Sequence, residues 1–325
     1  MYGILMILLV LSSVMSLFVS SWFLFWILME LGLFWFIPTI NKDCGQMSKS
    51  SLWQFFLIQV VSSSLILFFI VAEKSFCQTS SYSTWMSYGL FMSFFVKLGF
   101  PPFHSWGILV AEGLSLKAFV ILNTILKFPP LVGLLNMSHF LDSKPAQIFA
   151  IFSSMVSVVS IWDLSVRRFF VYSSFVNLFW VVLGFFGPES VSLLFLFFYM
   201  LSFSLMMYLL ESDSEKIMSK SFFTKNSYPN GFMIFIVFVN LVGMPPSILF
   251  FLKLDMAKIF LEMNMSMWVV MILVVTSIIL ASSYLLISHF RILWHSSWES
   301  GSSGMIYKLV IFIFHSILLG FLFMM

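Results

Sequence analysis

Long runs of apolar residues without a single charge restrict the fold of this chain more than any other feature of its sequence. The first 29 residues carry no charged side chain, and charged residues make up only 9% of the 325-residue chain. Soluble domains carry about 25% charged residues, because a water-facing surface must be hydrated. So few charges exclude a soluble globular protein, a disordered chain and a nucleic-acid-binding protein. The sequence therefore predicts a polytopic membrane protein.

The apolar runs predict an all-α fold with about eleven transmembrane helices of about 20 residues each. They are continuous, whereas the strands of a membrane β-barrel alternate apolar and polar residues. The connectors are short and polar, and none can hold a soluble domain, so we expect residues 1–325 to form a single membrane domain. The predicted spans are 2–20, 22–40, 52–73, 85–103, 114–136, 146–163, 168–187, 190–210, 230–252, 265–290 and 305–325.

Basic residues are distributed unequally between the two sets of connectors. Connectors after even-numbered spans, counting one residue at the start of the next helix, hold nine Lys or Arg residues, whereas those after odd-numbered spans clearly hold two, Lys74 and Lys144. Basic loops tend to stay on the cytoplasmic or matrix side of a membrane. The pattern therefore predicts that the N-terminus faces this inner side.

Four ionisable residues lie within or at the ends of apolar runs, where an uncompensated charge costs about 3 kcal/mol or more. They are Glu30, Lys97, Lys127 and Lys253. Ionisable residues inside a membrane usually take part in function, and Glu30 is the clearest case because no charge precedes it. The alternatives are a protonated structural Glu30 and lysines that extend to the lipid headgroups.

Each of the three lysines has a Pro-Pro pair within eight residues: Pro101-Pro102, Pro129-Pro130 or Pro245-Pro246. Proline breaks the helical hydrogen-bond ladder, and in a membrane the freed carbonyls are tolerated only inside protein or beside a water-filled cavity. The motif Gly-x-Pro-Pro occurs at Gly99 and again 144 residues later at Gly243. The recurrence predicts an inverted repeat with broken helices. The alternative is a pair of turns at helix ends.

Buried amines near a carboxylate can transfer protons. Desolvation favours the neutral amine and a nearby carboxylate favours the ammonium, so movement of the carboxylate would switch a lysine between holding and releasing a proton. We therefore expect Glu30, Lys97, Lys127 and Lys253 to form a row joined by water. His104 could extend the row, because imidazole titrates near neutral pH. A structural histidine beside aromatic residues is the alternative.

The sequence carries no signature of a metal, phosphate or iron–sulfur site. The remaining histidines are scattered, and the two cysteines flank one membrane-spanning run, so we expect the cysteines to lie near opposite faces and to stay unpaired. These residues are Cys44, Cys77, His139, His289, His295 and His315.

Several motifs carry a resemblance that covers nearly the whole chain. The most specific is KLGFPPFHSW at 97–106, and the others are MEL at 29–31, TILKFPP at 124–130, YSS at 172–174 and GMPP at 243–246. They resemble the chain 2 family of mitochondrial NADH:ubiquinone oxidoreductase, or respiratory complex I. Leu109 stands where that family usually has an acid, and Glu112 is the nearest possible substitute.

The resemblance implies a proton-pumping, antiporter-like membrane-arm subunit. The family's key glutamate maps to Glu30, and its coupling and central lysines map to Lys97, Lys127 and Lys253. It implies an enzyme subunit without a redox cofactor of its own, since NAD, FMN, iron–sulfur clusters and ubiquinone belong to partner subunits.

The implied partners are other membrane-arm subunits and the lipid bilayer, without nucleic acid. The implied location is the mitochondrial inner membrane, with the N-terminus on the matrix side. Two other readings stay open: a free-standing cation/proton antiporter and a non-catalytic scaffold subunit of a respiratory complex.

Overall fold

The computed structural model describes residues 2–43, 49–75, 80–138, 144–162, 166–212, 237, 239–245, 247–263 and 265–296. Within these ranges every regular element is an α-helix. Residues 239–242 form a helical turn before a break that precedes α11. The helices are α1 (Tyr2–Met15), α2 (Trp22–Asp43), α3 (Lys49–Ser75), α4 (Ser80–Leu98), α5 (Ser105–Gly113), α6 (Leu116–Asn123), α7 (Phe128–Ser138), α8 (Lys144–Trp162), α9 (Val166–Gly184), α10 (Glu189–Ser212), α11 (Ile248–Glu262) and α12 (Met267–Ser296).

Four helical stretches in the described part of the chain are long and apolar enough to cross a membrane: Trp22–Ile40, Trp53–Glu73, Lys117–Ser138 and Glu189–Met206. Shorter apolar helices accompany them in α1, α8 and α12. Large apolar side chains point outward, and the indole of Trp162 is among the most exposed at 83%. Such exposure suits contact with lipid rather than with water. The predicted all-α membrane fold is confirmed.

Nine of the predicted spans coincide with helices. The described part of the span 230–252 holds a helical turn, a break and the start of α11, and the span 305–325 lies outside the described residues. Cys44 and Cys77 lie outside them as well. Some predicted boundaries were wrong. The span expected to end at residue 252 continues to Glu262 in α11. The span expected to end at residue 103 continues past a break as α5, because a Pro pair interrupts the backbone locally and a new helix starts at Ser105. A break also divides the predicted span 114–136 into α6 and α7.

The helix α9 lies at the centre of the described structure. It contacts α5, α7, α8, α10, α11 and α12, and every side chain from 169 to 185 is buried. A helix that is apolar all round and buried belongs to the interior of a bundle. The few polar residues of α9 are therefore placed where buried groups of neighbouring helices can reach them.

Candidate functional site

Two breaks in the helices share one backbone geometry. Gly99 and Gly243 both have positive φ, +72° and +77°. At both sites the glycine N–H donates to the carbonyl three residues earlier, at 3.1 and 3.0 Å, and the next N–H donates to the carbonyl five residues earlier, at 3.1 and 3.2 Å. This is the left-handed C-terminal turn that glycine adopts without steric cost. The Gly-x-Pro-Pro motif thus ends a helix in the same way in both halves of the chain.

The Pro pair at the first break leaves two helix carbonyls without their usual donors. In an uninterrupted helix the N–H groups of residues 101 and 102 would bind the carbonyls of Lys97 and Leu98, but proline has no N–H. The Gln59 side chain of α3 replaces one donor, since its Nε2 donates to the Lys97 carbonyl at 3.3 Å. A neighbouring helix thereby compensates a backbone group that lipid could not hydrate.

The second break frees the Leu241 and Val242 carbonyls in the same way, because residues 245 and 246 are prolines. Asn177 of α9 donates from Nδ2 to the Leu241 carbonyl at 2.8 Å. Lys253 of α11 donates from Nζ to the Val242 carbonyl at 3.0 Å. The lysine that the sequence singled out therefore binds the break itself. A Cβ atom at Gly243 would lie 2.8 Å from this amine, so a side chain at this position would force the Lys253 amine to move.

Lys97 forms an ion pair with Glu30. The two side chains come from α4 and α2, and Nζ lies 3.2 Å from Oε1. The lysine side chain is 4% exposed and the glutamate side chain 30% exposed. Removing one member of such a pair would leave a buried charge uncompensated. The carboxylate therefore holds the ammonium of Lys97 in place.

Lys127 has neutral partners among the described residues. It lies in the break between α6 and α7. Pro129 and Pro130 occupy the first turn of α7, where a backbone N–H would have no acceptor within the helix, so the N–H groups that proline lacks are not missed there. Its Nζ donates to Ser174 Oγ of α9 at 3.0 Å. The same amine lies 4.9 Å from the centre of the Phe175 ring. Lys127 is 5% exposed, so its amine faces the protein interior and does not reach a lipid headgroup.

One cavity connects the first two lysines. It is lined by Lys97, Lys127, Gln59, Ser12 and Ser13, together with apolar side chains. Its volume is about 30 Å³, which is room for about two water molecules. Water in this cavity could accept hydrogen bonds from both amines, since its walls carry hydroxyl and amide groups. Both buried amines therefore line the same small cavity.

The link from Lys127 to the second break runs along α9. Ser174, which binds Lys127, and Asn177, which binds the Leu241 carbonyl, are three residues apart. Residues three apart on a helix lie on the same face. One face of α9 therefore contacts the Lys127 amine and also the broken backbone that binds Lys253.

Comparison with known proteins identifies the family. No protein-family model matches the chain. The protein named NADH-ubiquinone oxidoreductase chain 2 of Rhipicephalus sanguineus is 31% identical over 277 residues, and the match covers 84% of each chain. The chain belongs to the NADH-ubiquinone oxidoreductase chain 2 family. The protein of the same name from Didelphis virginiana is 27% identical over 252 residues, which cover 73% of this chain and 70% of that protein.

Two solved structures have the same fold as this member of the chain 2 family. A chain of the Mrp complex from Dietzia sp. DQ12-45-1b matches with a TM-score of 0.78 at 13% identity, covering 87% of this chain and 59% of that one. A chain of the membrane-bound sulfane sulfur reductase, an archaeal respiratory membrane complex, matches with a TM-score of 0.73 at 12% identity, covering 97% and 72%. At these identities the likeness shows the fold alone. The likeness agrees with the predicted polytopic, all-α membrane fold.

His104 lies outside the cavity that joins Lys97 and Lys127. It precedes α5, and its ring meets Phe175 edge to face, with 6.4 Å between the ring centres. Its buried Nδ1 has no hydrogen-bond partner among the described residues. The ring of Phe175 contacts both His104 and Lys127. In the described state these two residues are therefore linked by an apolar ring and not by a polar group. A role of His104 in proton transfer stays a prediction.

Glu112 is placed away from the buried lysines, at the end of α5. Its carboxylate forms an ion pair with Arg168 at the start of α9, and its backbone carbonyl accepts a hydrogen bond of 2.6 Å from Arg167. The pair is exposed, so it fastens α5 to α9 at the surface and contributes little free energy. Elsewhere in the described part of the chain, no three His, Cys, Asp or Glu side chains are grouped closely enough to bind a metal ion.

Sequence reasoning missed the polar residues that surround the lysines. Ser174 lies in the YSS motif at 172–174, but its partner, like that of Gln59, is on another part of the chain and cannot be read from local spacing. Asn177 and Tyr199 are fully buried polar residues within apolar helices. A polar side chain in an apolar, membrane-spanning run was the available signal for both.

Proposed function

We propose that this chain is a membrane-arm subunit of NADH:ubiquinone oxidoreductase and contributes a path for protons across the membrane. The observation that carries the proposal is the pair of buried amines, Lys97 and Lys127, on one cavity, with Glu30 bound to the first. Lys253 at the second break is proposed as the third amine of the path. Membership in the chain 2 family supports the assignment to this complex.

The proposed step begins at the ion pair. While Glu30 is bound, its charge keeps the proton on Lys97. When the carboxylate moves away, the ammonium loses its counter-charge in a poorly hydrated site and releases a proton to water in the cavity. The neutral amine of Lys127 accepts that proton. Return of Glu30 draws a new proton from water onto Lys97. Glu30 and Lys97 are then as they started, while Lys127 holds the transferred proton as an ammonium and becomes neutral again when it passes that proton on.

The wider setting of the chain is part of the same proposal. Residues 1–325 form one membrane domain without a soluble domain, in contact with lipid and with other membrane-arm subunits. Electrons pass from NADH to ubiquinone through partner subunits, which hold the NAD, FMN, iron–sulfur and ubiquinone sites, and the whole acts as a proton-translocating reductase. The excess of basic residues in one set of connectors favours an N-terminus on the matrix side of the mitochondrial inner membrane.

Replacement of Lys127 tests the proposal. In the assembled complex, reconstituted in lipid vesicles, Lys127→Ala should lower the number of protons pumped per electron, because the proton leaving Lys97 loses its acceptor. NADH oxidation in the presence of an uncoupler and the amount of assembled complex should change little. Lys258→Ala is the matched control, since this lysine of α11 has a side chain that is 73% exposed.

The outcome distinguishes three hypotheses: a proton-translocating subunit, a free-standing antiporter and a non-catalytic scaffold subunit. An unchanged proton-to-electron ratio in Lys127→Ala would favour the scaffold subunit. Migration of the native chain as a free protein in native electrophoresis, rather than within a large complex, would favour a free-standing antiporter. A lower ratio in Lys127→Ala alone, with the chain in the complex, supports the proposed subunit.

A further inference from the structure

Tyr199 of α10 carries a buried hydroxyl that the proposed path does not yet use. The side chain is completely buried, and its hydroxyl forms no hydrogen bond of normal geometry with any described residue. Burying a hydroxyl without a partner costs about 1–3 kcal/mol in proteins. A phenylalanine would fill the same space without this cost, so the hydroxyl needs an explanation other than packing.

The hydroxyl lies next to the group that binds Lys127. Its neighbour is the Ser174 hydroxyl of α9. Ser174 accepts a hydrogen bond of 3.0 Å from Lys127 Nζ and donates one of 2.7 Å to the Val171 carbonyl. The three polar groups therefore follow one another in space, in the order Lys127, Ser174, Tyr199.

The aromatic ring of Tyr199 is held by its surroundings. The Phe203 ring, one turn further along α10, has its centre 6.0 Å from that of Tyr199. Phe203 also packs against Phe119 of α6 and Phe170 of α9. The helix α10 contacts α6, α9 and α11, and the last of these carries Lys253. The ring of Tyr199 is thus packed on a helix that contacts α9, which carries Ser174, and α11, which carries Lys253.

We propose that Tyr199 is a proton-relay residue that takes over the proton from Lys127 through Ser174. The inference rests on the proposed function and extends its path beyond Lys127. In the step, the Lys127 ammonium gives a proton to the Ser174 oxygen, Ser174 gives its own hydroxyl proton to the Tyr199 oxygen, and Tyr199 gives its proton to a water molecule beyond. Lys127 ends neutral, both hydroxyls end as they began, and the water carries the charge.

The described conformation is the closed state of this relay. The Ser174 proton points to the Val171 carbonyl, so the hydroxyl has to rotate before it can donate to Tyr199. Rotation of a serine hydroxyl is a small motion that needs no movement of the backbone. The Ser174 hydroxyl therefore controls whether Lys127 is connected to Tyr199.

The substitution Tyr199→Phe tests the relay, since it removes one oxygen and keeps the packed ring. In the assembled complex in lipid vesicles we expect it to lower the proton-to-electron ratio by the same share as Lys127→Ala. The amount of complex and its thermal stability should be unchanged or higher, because an unpartnered buried hydroxyl is lost. Tyr208→Phe, on the same helix with a side chain that is 70% exposed, should leave the ratio at the wild-type value.

Ser174 provides the second test. Ser174→Ala should lower the ratio like Tyr199→Phe, the double variant should lower it no further, and Ser174→Thr, which retains a hydroxyl, should restore it. A wild-type ratio in Tyr199→Phe together with a lowered ratio in Lys127→Ala would overturn the relay and leave the proposed function standing. A wild-type ratio in both variants would overturn both.

Discussion

The two broken helices have the same backbone turn but use their lysines in opposite ways. At the first break the lysine lies two residues before Gly99, and its amine turns away from the break to the Glu30 carboxylate. At the second break Lys253 lies ten residues after Gly243, and its amine turns back onto the freed Val242 carbonyl. A side-chain amide also binds one freed carbonyl at each break, Gln59 that of Lys97 and Asn177 that of Leu241.

The difference shows which partners a broken helix can offer to a buried lysine. The turn itself supplies carbonyl oxygens, which are dipoles, whereas a carboxylate supplies a full charge. A full negative charge favours the ammonium form much more than a carbonyl does. The first amine is therefore suited to a switch that depends on Glu30, and the second is suited to accept and release a proton without a moving partner.

The largest expected effect comes from Gly243→Val. A β-branched residue at φ +77° is strained by about 1–3 kcal/mol, and its Cβ would displace the Lys253 amine. We expect several-fold less assembled complex, measured by native electrophoresis. Gly3→Val is the control, because a Cβ there meets nothing within 4 Å. Equal amounts of complex in the two variants would contradict the required geometry of the second break.

A smaller effect is expected from Glu30→Gln, which acts on the first break alone. The amide keeps the shape of the side chain but removes the charge that holds the Lys97 proton, so coupled NADH oxidation should fall several-fold while assembly persists. Glu30→Asp should preserve part of the activity. Steady-state oxidation with and without an uncoupler measures this, and identical rates for the Gln and Asp variants would indicate a structural carboxyl group.

The smallest effect separates the two amide contacts. Asn177→Leu leaves the Leu241 carbonyl unpaired, which costs about 1–3 kcal/mol, and should lower both the thermal stability of the complex and its pumping ratio. Gln59→Leu should cost less, since its hydrogen bond is 3.3 Å long rather than 2.8 Å. Thermal melting of the purified variants checks the order. A larger loss for Gln59→Leu would show that the first break depends more on its amide contact.

The sequence by itself determined the class of fold and the positions of the breaks. Uninterrupted apolar runs can only be buried in lipid or protein, which requires helices whose backbone groups are satisfied internally. Glycine followed by two prolines ends a helix for local steric reasons, so Gly99 and Gly243 were readable from sequence. The same local reasoning placed the end of one span at residue 103 and missed that α5 continues it.

Only the tertiary structure decided which groups meet. Glu30 and Lys97 are 67 residues apart, and Lys127 and Ser174 are 47 apart. Whether such pairs form depends on how each helix is rotated and how far it is shifted against its neighbours, and residue spacing within one helix carries no information about either. The sequence therefore identified the buried charges. The packing of α9 and α10 placed Ser174 beside Lys127, Tyr199 beside Ser174, and Asn177 beside the broken backbone that binds Lys253.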